Sequence, residues 1–254
     1  GITFSKPFST SKGVFPLAIS VLLESLNMCV STAIVGLLKA CEKRPVSVAE
    51  VESVADRVEA MVQDRPEKEM AASEVGVLVM AELKKLSAYG KLNEAKEFIK
   101  EVTESGEKLI VFVIHHVIVD ELLKEFPNAV TVTGRDDVDQ KQRSIDAFQK
   151  DPNTKLIICN IKAAGVGITL TASSRVAFIE YPWTYADCVQ CEDRAHRIGQ
   201  TNNVMCTYFL GQNTIDQQLY EMIQEKRHTG NTITGASDEM KMEMVSNVMD
   251  LFKK

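Results

Sequence analysis

From Lys108 onward, short apolar segments of strand length alternate with segments of helical length, and this alternation constrains the fold more than any other feature. The first such segment, Leu109 to Ile114, is six apolar residues in a row, which is typical of a strand covered on both faces. Strands that alternate with helices form βαβ units, whose strands are parallel and whose helices cover the sheet. The sequence therefore predicts an α/β domain with a mostly parallel sheet and helices on both faces over residues 106–230.

The predicted elements of this domain follow one another with short connections. Strands are predicted near residues 109–114, 129–132, 155–159, 175–179 and 204–210, and helices near 116–126, 138–149, 185–195 and 214–226. In such sheets, ligands bind beyond the carboxyl ends of the strands. Functional side chains are therefore expected in the connections that follow residues 114, 159 and 179.

The two ends of the chain differ from this domain. Residues 1–105 contain no convincing strand, and helices are predicted near residues 15–42, 47–63, 67–88 and 91–104. This all-helical region is expected to be a linker, a helical protrusion or an independent interaction domain, and its sequence does not decide between them. Residues 231–254 are expected to be a tail with a short helix near 239–252.

Composition restricts the class of protein. The formal net charge of −6 argues against a free-standing non-specific nucleic-acid binder, so any DNA contact is expected to be local or shared with another domain.

The six cysteines have no disulfide-scaffold spacing and no secretory signal is present, which favours the cytoplasm, with a nucleoid or nuclear location depending on the organism. The apolar stretch 17–40 contains Glu24 and Asn27, so a core helix is predicted there and no membrane partner is expected.

A segment containing two glycines, Asn160 to Leu170, follows the strand that ends at Cys159. Gly165 and Gly167 lack a Cβ atom and would allow the backbone to approach a ligand or a neighbouring domain closely. Lys162 and Thr169 add a cation and a hydroxyl to the same segment. A tight strand-to-helix turn would explain the glycines equally well, so this segment alone does not define a site.

A second polar segment runs from Gln190 to Gln200. On a helix, Gln190, Arg194 and Arg197 stand at i, i+4 and i+7 and share one face. Two guanidiniums and a carboxamide on one face are suited to holding a phosphate or developing phosphoryl charge. A solvated face that pairs with neighbouring acidic residues is the alternative. These residues follow the glycine segment and a strand, and this position favours phosphate binding over a solvated face.

The order and spacing of these segments resemble the second RecA-like lobe of the Swi/Snf family of superfamily-two helicases, and within it the HepA-related annealing-helicase group. Lys108–His116, Asn160–Leu170 and Gln190–Gln200 are similar to motifs IV, V and VI of that family. Glu180-Tyr-Pro-Trp183 is similar to the acidic-x-x-Trp link between motifs V and VI, with Glu where many relatives carry Asp. Several motifs in the correct order are more specific than any one of them.

The resemblance implies a DNA-dependent ATPase of the helicase, translocase or remodeller type, acting on double-stranded or branched DNA. It implies that Arg194 and Arg197 are arginine fingers for ATP held by the N-terminal lobe of the same protein. Further nucleotide contacts are implied at Gln190, Gly165, Gly167 and Glu180, and DNA contacts at Lys162, Thr169, Trp183 and His116. No G-x-x-x-x-G-K-[ST] segment and no Asp-Glu-x-His box are present, so ATP and Mg²⁺ are expected to bind mainly to the first lobe, and the chain alone is expected to be inactive.

Other interpretations stay open. The lobe could be a non-catalytic module for DNA or protein docking, or part of an RNA-dependent helicase, although Trp183 and the Arg-Ile-Gly-Gln ending favour the DNA branch. Trp183 could equally be a core residue. Cys188-x-x-Cys191 could be half of a zinc site, but no second pair lies nearby and no metal site is expected. The neighbouring His115 and His116 are expected to point to opposite sides of a strand end, one buried and one at the surface.

Overall fold

The computed structural model describes residues 2–5, 81, 84–164, 167–211 and 214–228. Within these residues, six strands form one sheet in the order β1-β6-β5-β2-β4-β3, and every neighbouring pair is parallel. The strands are β1 (Ile2–Ser5), β2 (Leu109–Val113), β3 (Val130–Val132), β4 (Leu156–Asn160), β5 (Arg175–Phe178) and β6 (Met205–Gly211). The predicted parallel sheet is thereby confirmed.

The helices of the described residues connect these strands. They are α1 (Leu92–Glu104), α2 (His116–Glu125), α3 (Val138–Lys150), α4 (Ile161–Ala164), α5 (Tyr185–Ala195) and α6 (Ile215–His228), and residues 84–90 are also helical. From residue 91 to residue 228, every predicted strand and helix occurs with ends within two residues of the predicted ones. The short helix α4 was not predicted.

Strand β1 contradicts the expectation that residues 1–105 form an all-helical region. Ile2 lies opposite Tyr208 and Ser5 lies opposite Gly211, so β1 extends the sheet beyond β6. An otherwise unpaired edge of β6 offers backbone donors and acceptors to any short extended segment. Four residues have too little pattern of their own to predict such a long-range pairing.

Several predictions fall on residues outside the described ranges. These are the helices near 15–42, 47–63 and 239–252, and most of the helix near 67–88. Among the described helices, none is long and apolar enough to cross a membrane. The apolar stretch 17–40 lies outside the part of the chain to which that finding applies. The division into regions 1–105, 106–230 and 231–254 stays a prediction.

Both faces of the sheet are covered by helices. Val111 and Val113 of β2 are fully buried on the face that also receives α1 and α2. Ile110 and Phe112 are fully buried on the opposite face, with side chains of α3 and α5. Successive side chains of a strand point to opposite faces, so a strand buried on both needs an uninterrupted apolar sequence. This burial explains the apolar run from which the fold was predicted.

A buried ion pair connects Lys91, the residue just before α1, to α6 within the same compact unit. The Lys91 ammonium donates to the Asp216 carboxylate at 2.5 Å and to the Phe209 carbonyl at 2.9 Å. The Ser87 hydroxyl donates to the same carboxylate at 2.6 Å. Lys91 and Asp216 are each 1% exposed. Because the pair is removed from water, the opposite charges of Lys91 and Asp216 compensate each other where solvent cannot.

The topology creates a switch point between the carboxyl ends of β2 and β5. These two strands are neighbours in the sheet. The connection after β2 leads to α2 on one face, whereas the connection after β5 leads to α5 on the other. Open α/β sheets bind their ligands where neighbouring connections diverge in this way.

Candidate functional site

The residues predicted to form the site are divided between two places on the domain. His116, Lys162, Glu180 and Trp183 lie in the connections that follow β2, β4 and β5, at the carboxyl edge of the sheet. Helix α5 then runs back toward the amino edge, because β5 and β6 are parallel. Its 11 residues rise by about 16 Å. Arg194, near the far end of α5, therefore lies away from the carboxyl edge of the sheet.

The arginine group is held against the segment that leads from α4 into β5. The amide of Leu170 donates to the carbonyl of Arg194 at 2.8 Å. The guanidinium of Arg197 donates through Nη1 to the hydroxyl of Thr169 at 3.1 Å, and lies 3.4 Å from the carbonyl oxygen of Gly167. Both arginines therefore contact residues 167–170.

Positive charge is concentrated in this group. Arg194 is buried, with 6% of its surface exposed, whereas Arg197 is exposed. Burial, and after it the positive charge of Arg197, lowers the pKa of Arg194. An arginine stays protonated at neutral pH in spite of such a shift. An anion beside both guanidiniums would relieve their repulsion and replace lost solvation, as a phosphoryl group would.

The predicted stripe of Gln190, Arg194 and Arg197 on one helix face is wrong. Helix α5 ends at Ala195, so Arg197 lies beyond it. Gln190 is exposed whereas Arg194 is buried, so the two do not share a solvated surface. The helix ends here because the carbonyl of Arg194 accepts from Leu170, an amide outside the helix.

Gly167 has a conformational reason to be glycine. Its φ of 54° lies in the left-handed region, which residues with a Cβ rarely adopt. A Cβ atom there would meet no other atom within 4 Å, so space is not the constraint. Gly167 therefore shapes the turn beside Arg197. Gly165, the other glycine of the segment, lies outside the described residues.

The carboxylate of Glu180 lies between the ends of β5 and β2. Its Oε2 accepts from the backbone amides of Ile114 and His115 at 2.7 and 2.8 Å, and its Oε1 is 2.5 Å from Nδ1 of His115. Burial alone would raise the pKa of Glu180. The hydrogen bonds and charge of His115, together with both amides, outweigh burial and hold the pKa below its ordinary value. Glu180 is 1% exposed. The nucleotide contact expected of Glu180 stays a prediction. Its observed hydrogen bonds hold the turn between β2 and α2 in position.

Asn160 was part of a predicted motif but was not singled out as a site residue. Its Nδ2 donates to the carbonyl of Ile114 at 2.6 Å, and its Oδ1 accepts from the amide of Lys162 at 3.1 Å. It therefore connects the end of β4 to the β2–α2 turn and orients the start of α4. A polar side chain at the end of a buried strand was the available signal for Asn160, as it was for His115.

The two adjacent histidines do not separate into one buried and one surface residue. Both are half-buried, so that expectation is wrong. His115 precedes α2 in an extended conformation and His116 is the first residue of the helix, so the alternation of a strand does not apply. Nδ1 of His116 is buried without a hydrogen-bond partner among the described residues. Gly134, after β3, lies beside the ring of His116: a Cβ atom placed on Gly134 would be 3.9 Å from Nε2 of His116.

The remaining predicted DNA contacts differ in position. Lys162 is exposed and Trp183 is half-buried, and both follow strands at the carboxyl edge. Trp183 immediately precedes Thr184, whose hydroxyl caps α5 by accepting from the amide of Asp187 at 3.1 Å. Thr169 belongs instead to the arginine group. The structure therefore brings His116, Lys162 and Trp183 to one edge of the sheet and separates Thr169 from them.

The cysteines on α5 belong to the core. Cys188 and Cys191 are buried, and burial raises the pKa of both thiols, that of Cys188 to about 12. In the part of the chain that the structure describes, no three His, Cys, Asp or Glu side chains are arranged to hold a metal ion. The half-zinc-site interpretation of Cys188-x-x-Cys191 therefore gains no support.

Comparisons with known proteins identify two regions of the chain. A model of the helicase conserved C-terminal domain matches residues 90–199. A model of the ATP cone domain matches residues 30–100. Most of the second match falls outside the described residues, in the region where the sequence showed no motif.

Curated relatives match part of the chain. Human DNA annealing helicase and endonuclease ZRANB3 is 30% identical over 165 residues, which are 63% of this chain and 15% of that protein. The Drosophila melanogaster SWI/SNF-related matrix-associated actin-dependent regulator of chromatin subfamily A-like protein 1 is 33% identical over 135 residues, 51% of this chain and 18% of that protein. The chain thus spans less than a fifth of the length of either relative.

Two solved structures share the fold. The crystal structure of the C-terminal part of the Fun30 ATPase domain has a TM-score of 0.58 at 17% identity. The match covers 99% of this chain and 96% of the chain in that structure. The Sulfolobus solfataricus SWI2/SNF2 ATPase C-terminal domain has a TM-score of 0.55 at 19% identity and covers 77% of this chain and 85% of its own. These similarities confirm the predicted RecA-like fold.

Proposed function

This chain contains the C-terminal lobe of a Snf2-type helicase, and on that premise we propose that it supplies the arginine half of an ATP site in a DNA-dependent ATPase. The other half would come from a first lobe of the same protein that binds the ATP phosphates. The enzyme would be a helicase, translocase or remodeller that acts on double-stranded or branched DNA.

The observation that carries this proposal is the position of Arg194 and Arg197 beside residues 167–170. A transferring phosphoryl group spreads negative charge over its oxygen atoms, and positive groups already held in place stabilise that charge without reorganisation. An arginine in this role accelerates phosphoryl transfer by roughly 10³- to 10⁵-fold. The charge repulsion between Arg194 and Arg197 is the electrostatic condition that such an anion would relieve.

The described residues fit the phosphate of ATP better than they fit Mg²⁺. Mg²⁺ prefers carboxylate oxygens and water, and no metal-binding cluster of acidic side chains occurs among these residues. We therefore assign Mg²⁺ and most of the nucleotide to the first lobe. Bound ATP supplies the phosphoryl group, and Arg194 and Arg197 would orient it and stabilise its charge. Nucleotide contacts by Gln190, Gly165 and Gly167 are part of the same proposal.

DNA would bind at the carboxyl edge, through His116, Lys162 and Trp183. The exposed ammonium of Lys162 can contact a backbone phosphate, and the partly exposed indole of Trp183 can contact a base or a sugar. The net charge of −6 limits such binding to a local surface. Helix α5 connects this edge to the arginine group, so DNA and nucleotide would act at opposite ends of one helix.

The experiment that tests this function is an ATPase assay of the protein that carries this chain together with its first lobe. Duplex DNA, branched DNA, single-stranded DNA and RNA are compared as activators. We expect stimulation of about tenfold or more by duplex or branched DNA, equivalent to about 1.4 kcal/mol in the barrier, and little stimulation by RNA. Equal stimulation by RNA would contradict the DNA assignment, and no stimulation by any nucleic acid would contradict the function.

A second candidate is a docking module that retains the fold without catalysis. The observation that favours it is that Arg194 is buried and Arg197 is already bonded to Thr169. Such a module would bind DNA or protein, but ATP hydrolysis would not depend on either arginine. Substitution of the arginines therefore separates the two functions.

A further inference from the structure

Three neighbouring strands are connected at their carboxyl ends by hydrogen bonds that converge on the turn between β2 and α2. Asn160, from β4, holds the carbonyl of Ile114. Glu180, following β5, holds the amides of Ile114 and His115 and the ring of His115. We call these four residues the carboxyl-edge bridge. Asn160 and Glu180 thereby bind all three polar backbone atoms from the amide of Ile114 to the amide of His115.

We propose that Glu180 is a positioning residue of the DNA-binding edge, acting through the carboxyl-edge bridge. The bridge fixes the turn immediately before His116 and orients the amide of Lys162 through Asn160. Glu180 also begins the segment that passes through Trp183 into α5. One buried carboxylate therefore sets the relative positions of the proposed DNA contacts and of the helix that carries Arg194. This inference rests on the proposed function.

The chemistry of the bridge explains why an ionised carboxylate is needed at residue 180. A carboxylate has two oxygens that only accept hydrogen bonds, and here one oxygen serves two backbone amides while the other serves an imidazole. An amide at this position has one acceptor oxygen and must aim a donor at the second site, where Nδ1 of His115 could accept it only if the imidazole proton moved to Nε2. The carboxylate also fills the switch point between β2 and β5, where an open sheet of this kind would otherwise leave a crevice.

The DNA-binding edge therefore depends on His115, although His115 is not itself one of its proposed contacts. Removing the ring nitrogen would leave Oε1 of Glu180 buried without this partner, which carries a desolvation cost. The turn would relax to bring another donor or water to that oxygen, and His116 would move with it. An asparagine at residue 115 would offer a nitrogen near the position of Nδ1, so it should preserve the bridge.

The test uses the protein with both lobes and measures the duplex DNA concentration that gives half-maximal ATPase stimulation. His115→Leu and Glu180→Gln should each raise this concentration by about tenfold or more, equivalent to about 1.4 kcal/mol. His115→Asn should stay within about twofold of the wild type. The double variant His115→Leu/Glu180→Gln should be no worse than the more impaired single variant, because both changes break the same bridge. Glu180→Gln is nearly isosteric with the wild type, so it still tests the carboxyl-edge bridge if His115→Leu fails to fold.

Ser173→Ala is the matched control for loss of a buried hydrogen bond. Ser173 is buried before β5, where its hydroxyl donates to the carbonyl of Lys108 at 2.6 Å, at the opposite edge of the sheet. We expect this variant to lower the melting temperature without changing the half-maximal DNA concentration. The inference is overturned if His115→Leu and Glu180→Gln lower only the melting temperature, or if Ser173→Ala changes the DNA response equally. A wild type that DNA does not stimulate would refute the proposed function and this inference together, before any variant is compared.

Discussion

The guanidinium of Arg197 donates a hydrogen bond to the hydroxyl of Thr169, with 3.1 Å between Nη1 and Oγ1. A second contact, from the amide of Leu170 to the carbonyl of Arg194, lies beside it. Together they connect the segment after α4 to the end of α5, so that the two arginines keep a fixed relation to each other. Charge held in place in this way is what stabilisation of a phosphoryl group requires.

Removal of the Thr169 hydroxyl should weaken this arrangement without unfolding the lobe. In the two-lobed protein, Thr169→Val should lower kcat by up to about tenfold, or about 1.4 kcal/mol, because Arg197 loses one of the contacts that orient it. The melting temperature should change little, since the bond is exposed to solvent. Steady-state ATPase kinetics and thermal unfolding measure the two effects. An unchanged kcat would show that Thr169 does not orient Arg197.

The buried pair of Lys91 and Asp216 should contribute strongly to stability. Lys91→Met should lower the free energy of unfolding by about 3–5 kcal/mol, because it removes a positive charge that is hydrogen-bonded to a buried carboxylate. Lys96→Met, in the helix α1 that Lys91 precedes, is the control. The ammonium of Lys96 lies 3.9 Å from Oε2 of the exposed Glu125. Exposed ion pairs of this kind contribute about 1 kcal/mol or less to the free energy of unfolding. Urea unfolding of both variants tests the difference, and equal losses would contradict the buried pair's importance.

Trp183 should affect DNA stimulation more than stability. Because its side chain is only half-buried, Trp183→Ala should cost less than about 3 kcal/mol in free energy of unfolding while weakening stimulation by duplex DNA. Phe178→Ala is the contrasting variant, since Phe178 is fully buried and stacks on Phe112 and Tyr208 with centroids 5.1 and 4.5 Å away. A loss for Trp183→Ala as large as that for Phe178→Ala would make Trp183 a core residue.

The buried thiols should make the protein less stable at alkaline pH. Burial raises the pKa of Cys188 from 9.0 to about 12, so the folded thiol keeps its proton where the unfolded thiol loses it. The unfolded state therefore binds fewer protons above pH 9, and stability falls between about pH 9 and pH 12. The decrease in unfolding free energy from about pH 8 to about pH 10.5 should be smaller in Cys188→Ala, in which this group is absent. An equal decrease in unfolding free energy in the wild type and in Cys188→Ala would contradict this prediction.

Local patterns were sufficient for most of the fold. The apolar run at Leu109–Ile114 predicted a strand buried on both faces, and the ends of α5 were predicted correctly at Tyr185 and Ala195. Strand β1 was missed because it depends on pairing between Ile2 and Tyr208, at opposite ends of the described chain. Periodicity within a few residues carries no information about such a partner.

Which residues form the candidate site stays a prediction, whereas part of its predicted geometry was wrong. Arg194 and Arg197 were proposed as site residues from their order with respect to the glycine segment. Their predicted shared helix face was wrong, because the helix ends at Ala195, where the carbonyl of Arg194 accepts from Leu170. The partnership of Glu180 with His115 was not predicted, because it joins two different strands across the sheet. Spacing along one helix predicts neither kind of contact.

The proposed catalytic role of the arginines is tested most directly by Arg194→Lys, Arg197→Lys and the double variant in the protein that carries both proposed lobes. Lysine keeps the charge but loses the planar, forked guanidinium. Arg175→Lys is the control, because Arg175 is paired with Glu107 at the start of β5, with 2.7 Å between Nε and Oε2.

The measurement is kcat at saturating duplex DNA and ATP, with KM, DNA affinity and melting temperature recorded for every variant. We predict that at least one single substitution lowers kcat by about 10²-fold or more, or about 2.7 kcal/mol, with a much smaller change in KM, since the contact forms in the transition state. The double variant should lose less than the sum of the two single effects. Arg175→Lys should keep wild-type turnover. Wild-type turnover in the double variant would contradict the proposal that this lobe completes an ATP site.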